Sequence, residues 1–162
     1  LITFVSLFYV SISTFGQTKQ YSEKEVYSIF KKSIYQNSKK SITTFSNPWV
    51  SCNQDSSYFL NDTIQISNSL DYSNNSNCCN YIGWTFYKKN KFILNNFNRC
   101  KAQVKVTTNK DFYKIRVFSK NSSLYFEKYT FDNTLSSIFE VIHIEDNLKF
   151  NSSIITLKRI KF

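Results

Sequence analysis

Four cysteines, Cys52, Cys78, Cys79 and Cys100, and one histidine, His143, are the side chains whose chemistry stands out in this chain of 162 residues. An even number of cysteines without C-x-x-C spacing argues for cross-links rather than redox exchange or a zinc knuckle. Four cysteines allow three pairings, and joining the neighbours Cys78 and Cys79 requires a strained ring, which leaves two. The hairpin around Lys89-Asn90 selects between them. A two-residue turn there makes Lys88 face Lys91, Ile82 face Phe97 and Phe86 face Ile93. Cys79 then faces Cys100, and Cys52 is left for Cys78. In this register Phe92 and Leu94 fall on the opposite face, so a bulge in the hairpin would shift it.

His143 lies in Phe139-Glu140-Val141-Ile142-His143-Ile144-Glu145, which reads as a strand. A lone histidine on a strand is more often a hydrogen-bonded or surface residue than a general base, and no triad partner can be chosen among so many serines. No H-E-x-x-H motif occurs, and with Gly16 and Gly83 the only glycines a phosphate-cradling loop is not expected. Asp55, Asp62 and Glu127 would have to meet in space to act as a glycosidase pair, and nothing in the sequence singles them out. We therefore expect no catalytic residue, no cofactor and no metal. The N-x-S/T triplets at Asn61, Asn74, Asn121 and Asn151 are what chance gives in a chain so rich in Asn and Ser.

The elements that must position these residues begin after the N-terminal segment. Leu1–Phe15 is uncharged and apolar apart from Ser and Thr, and Thr14 and Gly16 give a small-x-small end before Lys19. That is the pattern of a signal peptide over residues 1–16 with its basic start missing, and it is too short to span a bilayer. The expectation is a secreted or periplasmic protein without stable membrane insertion. The remaining 146 residues are enough for one core.

Residues 17–47 read as a helix and linker. Ser22 and Glu25 fit a capping box, and Val26, Ile29, Phe30, Ser33 and Ile34 recur at helical spacing, predicting a helix over 23–39. Its narrow apolar stripe suits a helix that caps a barrel end or one sheet face. From Pro48 onward the pattern is strand: Trp49–Cys52, Thr63–Ser67, Tyr81–Tyr87, Lys91–Phe97, a run marked by Val104 and Val106, Phe112–Ser119, Leu124–Tyr129, Ser137–Glu145, Leu148–Phe150 and Ile154–Phe162. Asp71–Asn77 reads as a loop. About nine short strands with tight polar turns describe a mainly β, antiparallel meander, as a sandwich or a barrel.

The net charge of +10 is uneven, with +9 carried by residues 81–128 alone. Such a face can steer an anionic polymer or a partner protein, although a solvated basic surface is the plainer reading. Aromatics interleave with the basic residues there in a way that resembles a single-strand nucleic-acid platform. Export argues against a nucleic-acid partner.

From Trp84 to the C-terminus the chain resembles the small lipocalin-like domains exported by Bacteroidetes. The residues that carry the likeness are Trp84-Thr85-Phe86, Phe92-Ile93-Leu94 and Cys100, then Ser123-Leu124-Tyr125-Phe126, the hairpin Phe139 to Leu148, and the closing Ile155-Thr156-Leu157-Lys158-Arg159. Asn47 stands where lipocalins carry Gly, two residues before their first tryptophan, here Trp49. The resemblance implies that residues 48–162 form a calycin-type barrel, non-enzymatic, holding a small apolar or amphipathic ligand. Trp84, Phe86, Tyr113, Ile115 and Phe126 would line its interior or simply fill it. It also implies that Arg159, on the closing strand, stacks across the Trp49 indole. The alternative function is a secreted interaction module that binds an anionic surface polymer or a partner through the basic face at 81–128.

Overall fold

A computed structural model describes residues 20–32, 34, 48–68, 78–101, 106–147 and 152–161. Along the chain it contains α1 (Glu23–Lys32), β1 (Trp49–Cys52), α2 (Ser57–Leu60), β2 (Thr63–Ser67), β3 (Asn80–Lys88), β4 (Lys91–Asn98), β5 (Phe112–Lys120), β6 (Ser123–Thr130), β7 (Leu135–Asn147) and β8 (Ser152–Ile160). The strands close into an antiparallel barrel in the order β1-β2-β8-β7-β6-β5-β4-β3. The mainly β barrel with an N-terminal helix is thus as expected, with eight strands among the described residues where about nine were expected in the chain. The expected segment 1–16, the loop at 71–77, Val104 and the strand at 148–150 lie outside the described residues, while Val106, expected on a strand with Val104, is exposed and belongs to no strand.

β3 to β8 follow one another as a meander, but β1 is seated between β2 and β3. The cross-links explain how that seat is held. One disulfide joins Cys52, at the end of β1, to Cys78, just before β3, and the other joins Cys79 to Cys100, beyond the end of β4. The Asn53 N–H adds a bond of 2.7 Å to the Asn80 carbonyl. Both pairings match the expectation.

The register that suggested them does not hold over most of the hairpin. Lys88 faces Lys91 as the two-residue turn requires, but Tyr87 is an extra residue on β3. Phe86 therefore faces Phe92, not Ile93, and Ile82 faces Asn96, not Phe97. The bulge turns Phe92 into the core, where its ring stacks on Trp84 at 4.7 Å, while Tyr87 meets Phe112 at 5.8 Å. Burying Phe92 beside Trp84 and Phe86 is the physical reason for the shift.

α1 closes one end of the barrel. The Ser22 N–H donates to the Glu25 carboxylate at 2.8 Å and the Glu25 N–H donates back to the Ser22 hydroxyl at 3.3 Å, the predicted capping box. The described helix ends at Lys32, and residues 35–39 of the longer expected helix lie outside the described residues. Two bonds fix it to β5: the Val117 N–H donates to the Tyr27 hydroxyl and the Ser119 N–H to the Glu23 carboxylate, each 2.8 Å. Its buried stripe, Val26, Ile29 and Phe30, joins the barrel core.

Candidate functional site: a cationic and aromatic barrel end

Alternation along each strand decides what enters the barrel. From β3 come Ile82, Trp84 and Phe86; from β5, Tyr113, Ile115 and Val117; from β6, Phe126 and Lys128; from β7, Ser137 and Phe139; from β8, Leu157 and Arg159. The five residues expected to line the interior are all there. Trp84, Phe86, Ile115 and Phe126 are buried and Tyr113 is half-buried. They divide between two halves. Near α1, the Phe30 ring fills the space between Phe86 (4.4 Å), Trp49 (5.2 Å) and Phe126 (5.6 Å). At the other end, Trp84 and Tyr113 flank Phe92, with ring centroids 4.7 and 5.7 Å from it, and Phe139 lies 6.2 Å from Trp84.

That second half also holds two cations. Lys128 is only 6% exposed, its ammonium 4.9 Å from the centre of the Tyr113 ring. The Arg159 guanidinium lies 4.9 Å over Phe139 and 5.9 Å over Tyr58, and its Nη2 donates to the Tyr58 carbonyl at 2.8 Å. Phe139 pairs with Arg159 across β7 and β8, and Lys128 pairs with Ser137 across β6 and β7, so the two cations flank one short stretch of β7. Trp49, the partner expected for Arg159, comes from β1, which β2 separates from β8, and it meets the Phe30 ring edge-on.

Tyr58, on α2, completes the cluster. The Asn53 side chain accepts its N–H at 3.2 Å, and its buried hydroxyl accepts the Trp84 indole N–H at 3.0 Å. Burial pushes that hydroxyl well above the usual tyrosine range, against the pull of Arg159. Burial likewise pushes the Lys128 ammonium down to about 8, and the Arg159 charge adds to the effect. One guanidinium is therefore felt at both groups.

Three donors at this end lack an acceptor among the described residues. Lys128 makes no hydrogen bond or ion pair with them, its ammonium keeping a slight contact with solvent, Arg159 Nε is buried without a partner, and the Tyr58 hydroxyl hydrogen is left over once its oxygen has accepted from Trp84. An uncompensated buried cation is costly to a fold, and an unmet buried donor costs about 1–3 kcal/mol. Lys128 was missed from the sequence although its signal was present, since it lies two residues beyond Phe126 and must share its face. Tyr58 had no such signal, because one turn of helix in Ser57–Leu60 has no periodicity to read.

Two other features are placed by the structure. An open groove of about 500 Å3 runs between Leu124 of β6 and Glu140–Ile144 of β7, with Gln20, Tyr21, Ser122 and Ser123 on its other side. His143 stands exposed on its rim, beyond the bulge that also exposes Ile142. Among the described basic residues of 81–128, Lys88, Lys91 and Lys114 stand side by side across β3, β4 and β5, with Lys89 and Lys120 at the turns of the same α1 end, while Arg99, Lys101 and Lys110 lie at the disulfide end and Lys128 inside.

No protein-family model, curated protein or solved structure matches the chain.

Proposed function

We propose that the protein is an exported, non-catalytic, lipocalin-like barrel that binds a small amphipathic molecule at the barrel end closed by α2. The observation that carries this reading is Lys128, a lysine turned into an aromatic interior where it forms no ion pair with the described residues. A residue that costs the fold stability and makes no structural bond is accounted for by a ligand that completes its contacts. The half-buried Tyr113 ring and the exposed Phe59, Leu60 and Phe131 supply apolar surface at the same end. The groups turned inward are donors and rings, which hold a ligand rather than activate one.

Export, to the periplasm or outside the cell, is supported by the two disulfides and by the apolar pattern of residues 1–16. Among the described residues no helix is long and apolar enough to cross a membrane.

The test follows the emission of Trp84 while purified, oxidised protein is titrated with alkyl chains of matched length and different head groups. Saturable one-to-one binding, with the fluorescence change lost in Trp84→Phe, is the expected result. Absence of binding by every chain, with retention on an anionic polysaccharide that salt releases, would replace the proposal by the interaction-module reading.

A further inference from the structure

We infer that the ligand's head group is an anion, received by the Lys128 ammonium, the Arg159 Nε–H and the Tyr58 hydroxyl at the barrel end closed by α2. This rests on the amphipathic-ligand reading and adds the chemical class: a carboxylate or phosphate carried on an apolar body.

Lys128 offers three N–H bonds that no acceptor among the described residues takes, Arg159 Nε–H is buried and unmet, and Tyr58 has an O–H to give. All three belong to one electrostatic neighbourhood, since the Arg159 charge acts on both Lys128 and Tyr58. A cluster with an excess of donors and no carboxylate among the described residues is met best by an anion, because a neutral oxygen accepts the hydrogen bonds but leaves the two positive charges unbalanced. A cationic or uncharged head group would leave the two cations as unbalanced as they are now.

The rest of the site selects the body of the molecule. Phe59 is 53% exposed and Leu60 74% exposed on α2, and Phe131, in the turn between β6 and β7, is 66% exposed. α2 precedes the start of β2, and Phe131 follows the end of β6. In this antiparallel barrel those two points lie at the same end, the one where Arg159 closes β8. Three exposed apolar side chains thus border the end whose interior is cationic. An inorganic ion would gain nothing from them, whereas an alkyl or aryl acid would bury apolar surface against them.

Protonation ties the affinity to pH. With its pKa at about 8 in the empty barrel, Lys128 begins to lose its charge just above neutrality. A bound anion favours the charged form, so binding takes up a proton in that range and weakens as pH rises.

The experiment measures binding of dodecanoate, dodecyl phosphate, dodecanol and dodecylamine by isothermal titration at pH 7, below their aggregation limits, with inorganic phosphate as the tail-free control. The expected result is that the two anions bind about ten- to a hundredfold more tightly than dodecanol, the range for a charge-assisted contact. Dodecylamine should be the weakest, and the preference should collapse in Lys128→Met and shrink from pH 7 to pH 10 in the unmodified protein. Arg159→Lys, which keeps the charge, should lose less than Lys128→Met, and circular dichroism should show both variants folded. Equal binding of dodecanol and dodecanoate would overturn the anion subsite and leave the amphipathic reading standing. Binding of inorganic phosphate as tight as dodecyl phosphate would overturn the amphipathic reading, and no binding of any probe would overturn both.

Discussion

The Phe30 ring of α1 lies stacked on the Phe86 ring of β3, 4.4 Å between centroids, inside the barrel end that the helix closes. The helix is too short to be stable alone, so this insertion and the two bonds to β5 keep it in place. Phe30→Ala removes the ring that fills the space between Phe86, Trp49 and Phe126. We expect a loss of about 3–5 kcal/mol in urea unfolding. Truncating Tyr27 to Phe, which removes only the hydroxyl that accepts the Val117 N–H, should cost about 1 kcal/mol.

The pH dependence of stability should carry the mark of Lys128. Its folded pKa of about 8 lies below the unfolded value of 10.5, so between them the unfolded chain binds more protons and stability rises with pH. Stability is therefore lost as pH falls from 10.5 through 8, by roughly 3 kcal/mol in total. Tyr58 acts in the opposite sense, because its raised pKa makes the fold lose stability once unfolded tyrosines ionise above pH 10. Melting temperatures of the ligand-free protein should climb from pH 7 to about pH 9.5 and then fall. In Lys128→Met the climb should vanish and the protein should be more stable at pH 7, by about 1–4 kcal/mol. A variant less stable than the parent at pH 7 would mean that the lysine is structurally compensated.

The disulfides make a third expectation. Each closes a loop of moderate length, with sequence separations of 26 and 21. Replacing Cys79 and Cys100 together by Ser should cost about 3 kcal/mol, as should replacing Cys52 and Cys78. Non-reducing peptide mapping should recover Cys79 with Cys100 and Cys52 with Cys78.

Much of this fold was legible because alternation is a local signal. Ile64 and Ile66, or Ile115 and Val117, announce a strand and its inner face without reference to anything distant. The capping box of Ser22 and Glu25 is local too. What escaped the sequence depends on partners far along the chain. The Tyr87 bulge exists because Phe92 must reach Trp84, and the seat of β1 between β2 and β3 is a choice of topology that no short pattern encodes. The candidate site was half legible. Trp84 and Tyr113 were named from alternation, and Lys128 was within reach of the same rule, but charge at an inward position was read as part of a solvated face. Arg159 was expected to cover a ring, and the structure places it over Phe139 and Tyr58, the latter supplied by a helix too short to foresee.

The close approach of Gly83 and Asn95 yields the last prediction. The two face each other across β3 and β4, and a Cβ built on Gly83 would lie 2.6 Å from Asn95 Oδ1 and 3.0 Å from Phe97 Cε1. Gly83 is needed for space, not for an unusual backbone conformation. Asn95 cannot easily yield, because its side chain is buried, with Oδ1 already lacking a donor, and the stacked pair Tyr81 and Phe97 lies alongside at 5.7 Å. Gly83→Ala should therefore cost about 1–3 kcal/mol, the range for overpacking. In Asn95→Ala protein the nearest clash is gone, and the same change should cost about 1 kcal/mol less. A double-mutant cycle by denaturant unfolding measures that coupling directly. Strictly additive effects would show that Phe97, not Asn95, is the neighbour that requires glycine at position 83.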